Sequence, residues 1–424
     1  MKELRSLALI EPLGDTGIST YAHELAEALV GAGVETDVYG PEWSWSRSLP
    51  RAHRLYPVLG SALFRQKDVL GSSGHDLADP PAPQAANAPA SSGTSRGFVP
   101  AARAAARDAF LTLELAAWLR RRGYDAVWTQ WPEFGARHPD FWWACRRLGL
   151  RLIHQVHNVL PHERRAGDER LYRRVYGASD VLLLYSRAAR SSLVDVFPDA
   201  GDKALVTPHG MYTIYPRKPL SRASVRSELG VSPSTALVLF FGGVRPYKNV
   251  DVVLHALRSA PDLDLVLLVA GVESGYPDAQ GVDKLARTRR LAAELGVERR
   301  VKCLAGPFGF ERTSELFEAA DAVILPYRAS ESFGSGLLLL AMTFGKWIVA
   351  TAAGGMDEYL CAYPRGLVLR ELTPEGVSRT LRELVDTLGE RGSSSLVWEG
   401  TQFSWPEIVA ALLPKLASRL GKRR

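Results

Sequence analysis

Cysteine is scarce: the 424 residues hold three, Cys145, Cys303 and Cys361, far apart and in no C-x-x-C pair. That excludes a disulfide framework and a cysteine-based zinc site, and it suits a reducing compartment. No apolar run approaches the roughly 20 residues a helix needs to cross a bilayer. The opening MKELRSLALIEPLGD joins a charged stretch to a short apolar run without a small-residue cleavage site. It reads as a first buried strand rather than a signal peptide. Also missing are the G-x-G-x-x-G dinucleotide fingerprint, the H-E-x-x-H metal motif and any aromatic-interleaved basic repeat. These absences argue against an NAD-dependent oxidoreductase, a zincin and a nucleic-acid partner.

What is present is ordinary globular material, with 46 % hydrophobic and 23 % charged residues. The length exceeds what one hydrophobic core normally serves, so two domains are expected. The net charge of +6 suits anionic substrates or an anionic membrane. Arginine pairs such as Arg164-Arg165, Arg173-Arg174, Arg289-Arg290 and Arg299-Arg300 read as solvated helix faces. Trp43–Arg54 reads as an exposed aromatic–basic stretch that suits membrane contact.

Short runs rich in Val, Leu and Ile recur at Ser6–Ile10, Thr36–Tyr39, Ala126–Thr129, Leu150–His157 and Val181–Tyr185. They recur again at Ala236–Phe241, Leu263–Ala270, Val301–Leu304, Ala322–Pro326, Trp347–Thr351 and Gly366–Leu369. Helical patterns alternate with them, as at Thr20–Ala32, Ala101–Arg122, Val250–Ser259 and Lys284–Leu295. Continuous apolar strands alternating with helices predict parallel sheets covered on both faces. The fold class is therefore α/β, with two Rossmann-like doubly wound domains. The expected limits are 1–215 and 216–402, the break falling near Pro216–Ser224. Gly71–Gly97, rich in Pro, Ala, Gly and Ser, predicts a flexible insertion inside the first domain.

Four places carry candidate chemistry. Gly14–Ser19, containing Gly17, lies between strand one and helix one, where glycine lets the backbone approach an anion at a helix start; a plain tight turn fits as well. An apolar strand ends in Gln155-Val156-His157-Asn158-Val159-Leu160-Pro161-His162-Glu163. There His157 or Glu163 suits a base or an orienting group, and loop capping is the structural alternative. Phe241-Gly242-Gly243-Val244-Arg245-Pro246-Tyr247-Lys248-Asn249 places Gly243, Arg245 and Lys248 on a strand-to-helix turn, which suits a diphosphate. Finally, Tyr327 to Gly336 feeds the apolar run Leu337–Met342. Backbone N–H groups of Ser335, Gly336 and Leu337 would face an anion there, with Glu331 available to sugar hydroxyls; Ser335 also suits a plain N-cap. Asp262 and Asp264 form a D-x-D pair at the end of a strand where such sheets do not bind ligands, and they read as a solvated loop.

Together these places resemble the retaining glycosyltransferase family 4, of the GT-B fold, over nearly the whole chain outside Gly71–Gly97. The most specific part is LPYRASESFGSGLLLLAMTFGKWIVATAAGGMDEYL at Leu325–Leu360, followed by FGGVRPYKN, HNVLPHE and PHGMY at Pro208–Tyr212. The resemblance implies a nucleotide diphosphate sugar on the C-terminal domain and a glycan, lipid-linked or small-molecule acceptor on the other. Arg245 and Lys248 would hold the diphosphate, Gly17 would line the opposite wall, and His157 would sit by the transferred sugar. It further implies no metal or other cofactor, a cytoplasmic setting at the inner membrane face, and residues 403–424 as a helix crossing back to the first domain.

The usual pair of glutamates seven residues apart is altered. Aligned on AMTFGK, its positions fall at Ser332 and Leu340, with Glu331 one place off. The chain looks like the branch with a Ser-Gly pair before a Leu-rich helix. A GT-B sugar-nucleotide epimerase and a non-catalytic sugar-nucleotide-binding partner of another transferase remain open on these residues.

Overall fold

The computed structural model describes residues 4–13, 17–41, 49–59, 113–132, 139–161, 164–218, 221–272, 284–328, 335–391, 396 and 398–421. The candidates Glu331, His162 and Glu163 and the Gly71–Gly97 insertion lie outside them.

The N-terminal sheet contains β1 (Ser6–Ile10), β2 (Glu35–Pro41), β3 (Arg54–Leu59), β4 (Ala126–Thr129), β5 (Leu152–Gln155), β6 (Val181–Leu184) and β7 (Ala204–Val206). Their order is β3-β2-β1-β4-β5-β6-β7, and every pairing is parallel. One face packs on a helix over 113–122 (α2), α3 (Pro139–Arg147), α4 (Asp168–Ala178) and α5 (Arg187–Val196). The other face packs on α1 (Gly17–Gly31). Strands buried on both faces carry no polar alternation, which explains runs such as VLLL in β6.

The C-terminal sheet repeats the plan with β8 (Ala236–Phe241), β9 (Leu265–Val272), β10 (Val301–Gly306), β11 (Ala322–Leu325), β12 (Trp347–Ala350) and β13 (Gly366–Val368). Its order is β10-β9-β8-β11-β12-β13, again wholly parallel. It is flanked by α6 (Ser221–Glu228), α7 (Val250–Ser259), α8 (Lys284–Glu294), α9 (Phe310–Ala319), α10 (Gly336–Thr343), α11 (Met356–Leu360) and α12 (Pro374–Arg391). In each sheet the strand order reverses beside the first strand, between β1 and β4 and between β8 and β11. Doubly wound sheets bind ligands outside the carboxyl ends of the strands at that reversal.

The last helix, α13 (Trp405–Gly421), lies on the N-terminal domain. Trp405, Val409, Leu412, Leu416 and Leu420 share a core with Leu7, Tyr21, Leu25 and Leu183. Gly210 leaves room for Trp405, since a Cβ there would fall 2.4 Å from the indole. No helix among the described residues is long and apolar enough to cross a membrane.

Two sequence expectations need correction. Arg300 is not part of a solvated face: its guanidinium donates to the carbonyls of Leu257 (2.9 Å), Ala260 (2.9 Å) and Leu265 (3.3 Å), closing the C-terminal end of α7. In the described end of Trp43–Arg54, Arg51, Ala52 and Arg54 are exposed as expected, and only His53 departs from the expectation. His53 is buried against Glu27, and Arg54 opens β3 paired with Glu35 and Asp37.

Candidate active site

Aromatic contacts run from the α10 start to His157, through Tyr212, His209 and Tyr21. On the C-terminal side, β8 runs into Gly242, whose φ of +87° is open to glycine and strained for other residues. A Cβ built there would lie 3.3 Å from Lys248 Nζ and 3.5 Å from Leu337 Cδ1. The turn carrying Lys248 and the first turn of α10 therefore converge on one point. Lys248 is 8 % exposed, with its ammonium 5.6 Å from the centre of the Tyr327 ring. Burial, reinforced by the neighbouring Arg245 charge, lowers its pKa to about 8. Asn249 pins the turn to the end of β11, donating through Nδ2 to the carbonyls of Tyr247 (2.7 Å) and Pro326 (2.9 Å). Gly243 borders open space, as does Gly17 at the start of α1 in the other domain.

Ser335 is the N-cap of α10, its Oγ accepting from the Leu338 N–H at 3.3 Å. The N–H groups of Gly336 and Leu337 belong to the first helical turn, which offers them no internal acceptor and carries the positive end of the helix dipole. Gly336 is required by closeness: a Cβ would fall 2.5 Å from the Tyr212 hydroxyl. Leu340, where the resemblance lacks its glutamate, is buried in the C-terminal core.

On the N-terminal side, His157 follows β5 with both ring nitrogens engaged. Nε2 lies 3.0 Å from Gln130 Oε1, and Nδ1 lies 2.8 Å from the Tyr185 hydroxyl. Burial holds its pKa well below the usual histidine value, and the charges of His209 and His154 add to this. At neutral pH the ring is uncharged and a weak base, which favours orienting a hydroxyl over abstracting a proton. Tyr21 meets its edge at 5.3 Å. His209 is buried behind it; its Nδ1 donates to the Gly210 carbonyl at 2.7 Å, leaving Nε2 to accept from Tyr212 Oη at 3.3 Å.

The domains are tied to each other, and the segment joining them is held by α1. Glu24 of α1 accepts from Thr213 N (2.5 Å), Thr213 Oγ1 (2.7 Å) and Ile214 N (2.8 Å). Glu358 of α11 accepts from the Ala188 N–H at the start of α5 (3.0 Å), where a carboxylate also meets the helix dipole.

The structure thus brings together Gly243, Arg245, Lys248, Ser335, Gly336 and Leu337 around one turn, with Gly17 and His157 in the other domain. Sequence reasoning missed Tyr21, Glu24, Gln130 and Tyr185, and it included His209 and Tyr327 in its motifs without giving either a role. Gln130 and Tyr185 had a readable signal, each being a polar-tipped residue directly after a parallel strand. Asp262 is paired with Arg382 at 2.5 and 3.0 Å.

Residues 16–215 match the family model described as Glycosyltransferase Family 4, and residues 221–391 match the one described as Glycosyl transferases group 1. The D-inositol 3-phosphate glycosyltransferase of Streptomyces griseus is 27 % identical over 311 residues, covering 67 % of this chain and 65 % of that protein. The chain thus spans just under two thirds of that relative's length. The glycosyltransferase from Rickettsia africae ESF-5 has the same fold, with a TM-score of 0.66 at 16 % identity over 99 % of both chains. So does Anabaena HepE, solved with UDP and glucose, with a TM-score of 0.67 at 16 % identity over 98 % of this chain and 100 % of that one. With a glycosyltransferase model on each of its two parallel-sheet domains, the chain belongs to the glycosyltransferases of the GT-B fold.

Proposed function

We propose that this protein transfers a sugar from a nucleoside diphosphate carrier to a glycan, lipid-linked or small-molecule acceptor, with retention of anomeric configuration. The observation that carries the reading is the convergence of Lys248 and the α10 start on Gly242. Negative charge grows on the leaving diphosphate as the glycosidic bond breaks. Fixed cations and backbone N–H groups stabilise that charge more in the transition state than in the ground state. Arg245 and Lys248 would take the diphosphate together with the N–H groups of Gly336 and Leu337. His157 would orient a hydroxyl of the transferred sugar. The UDP and glucose bound to Anabaena HepE support a nucleotide sugar as donor.

Incubation with a panel of nucleotide sugars and acceptors tests this. Transfer or hydrolysis with release of nucleoside diphosphate is expected. Interconversion of free nucleotide sugars would instead indicate an epimerase, and binding without turnover a non-catalytic partner. Because Arg245 and Lys248 supply the positive charge, chelation by EDTA is expected to leave turnover unchanged. A loss restored by divalent cation would contradict metal independence.

We also propose peripheral contact with an anionic membrane. Its support is on α3, where Trp143 is 54 % exposed with the Arg147 guanidinium 5.3 Å from its ring centre, and Leu148 beyond is 37 % exposed. Co-sedimentation with vesicles containing anionic lipid is expected to weaken on Trp143→Ala. Equal binding by both proteins would count against this surface.

A further inference from the structure

We propose that Tyr185 is a positioning residue: its hydroxyl fixes the His157 imidazole, and its backbone carbonyl, held by Tyr359, ties that imidazole to the docking of the two domains. This rests on the reading of His157 as the group beside the transferred sugar.

Gln130 Oε1 can only accept, so His157 Nε2 carries the ring proton and Nδ1 receives the Tyr185 O–H at 2.8 Å. Tautomer and ring orientation are set by these two bonds. Tyr185 is 4 % exposed and has little freedom of its own, because the chain is held on either side of its carbonyl. The Tyr359 hydroxyl, from α11 of the other domain, donates to that carbonyl at 2.9 Å and accepts the His209 N–H at 2.9 Å. The next residue, Ser186, caps α5 by accepting from Ala189 N at 2.9 Å and donates to the Gly354 carbonyl at 2.8 Å. Gly354 also belongs to the other domain. A domain rotation that broke these contacts would shift the backbone that aims the Tyr185 hydroxyl, and His157 would lose its anchor.

The aromatic packing of Tyr185 does not need the hydroxyl. Its ring meets Tyr21 at 5.5 Å and His209 at 5.2 Å; phenylalanine would keep both ring contacts and lose only the hydroxyl's bonds to His157 and Tyr21. Tyr185→Phe therefore separates positioning from filling space.

The test uses the full chain labelled with 15N-histidine. Nine histidines are present, so the His157 pair is assigned by its loss in His157→Ala. In the wild type, His157 should show one neutral tautomer. In Tyr185→Phe the two nitrogen shifts should move toward an average of both tautomers. The same variant should lose about tenfold in kcat with donor KM within about twofold of wild type, as expected when an oriented hydrogen bond is removed without loss of ground-state binding. Tyr359→Phe keeps the Tyr185 hydroxyl but releases its carbonyl, so it should change shifts and kcat in the same direction by less. It carries the test if Tyr185→Phe does not fold. Wild-type shifts and wild-type kcat in the variant, with His157→Ala inactive, would overturn the role of Tyr185 alone. Undiminished turnover in His157→Ala would overturn the reading of His157 and this role with it.

Discussion

Lys248→Ala is expected to lower turnover by about 10²-fold or more, the scale for losing one fixed stabiliser of developing negative charge. Arg245→Ala should do the same. The ammonium of Lys248 is buried, and burial with the Arg245 charge brings its pKa down to about 8. A bound diphosphate would reverse that depression, because a nearby anion favours the protonated form. Binding should therefore take up a proton when measured near pH 8. Donor affinity should fall as pH rises through about 8, where the free protein loses the charge, and should change little below 7. In Lys248→Ala this pH dependence should vanish along with the activity. Unchanged turnover in both alanine variants would remove the diphosphate assignment. The loss should appear in donor KM as well as in kcat, since Lys248 meets charge on the bound diphosphate and more of it in the transition state.

Acid should unfold the protein well before its carboxylates titrate in bulk. Burial lowers the pKa of His23 to about 4, of His154 to about 3 and of His209 to about 4. A histidine free in the unfolded chain titrates near 6.5. Below that value the unfolded state binds protons that the folded state refuses, so stability falls with falling pH until the folded pKa is reached. At about 1.4 kcal/mol per pH unit, each of these imidazoles costs roughly 2 kcal/mol by pH 5. Together they cost on the order of 6 kcal/mol, comparable to the whole stability of a typical domain. Glu27, held low by the backbone N–H of Ala52 and by His53, acts in the same sense. Glu24, raised by burial, opposes it. The melting temperature should fall steeply between pH 6.5 and 5 and stay level between 7 and 8. His154→Gln should flatten the acid limb. A melting temperature unchanged between pH 7 and 5 would contradict the neutral, buried state of these rings.

The sequence made the central strands legible because they are buried on both faces and read as unbroken Val, Leu and Ile runs. The two strands it hid, β3 and β7, are the two edges of the N-terminal sheet. β3 reads RLYPVL, and its proline is tolerated because an edge strand needs only one ladder. β7 is only three residues long. Both are too short or too mixed to stand out from loops.

The same logic divides the site. Arg245, Lys248 and Ser335 were readable because each sits in one short stretch between a strand and a helix. The surroundings of His157 were readable only in part: Gln130 and Tyr185 stand after strands, but that they meet Tyr21, His209 and Trp405 from five distant stretches shows only in the fold. Glu24 lies within the helical pattern Thr20–Ala32 with nothing local to single it out. Nothing local shows that Thr213 and Ile214 would bring it three donors. Whether Gln130 and Tyr185 would turn toward one imidazole depends on β4, β5 and β6 lying side by side, which is a property of strand order.

The most direct test of the diphosphate site is the change in melting temperature on adding nucleoside diphosphate sugars at pH 7, measured in parallel on wild type and the Arg245→Ala/Lys248→Ala double variant. Specific binding stabilises the folded state by about 2.7 kcal/mol at a ligand concentration of 100 times Kd. The predicted result is a rise of several degrees with at least one nucleotide sugar in the wild type and none in the double variant. No shift with any member of the panel, or equal shifts in the two proteins, would contradict the site.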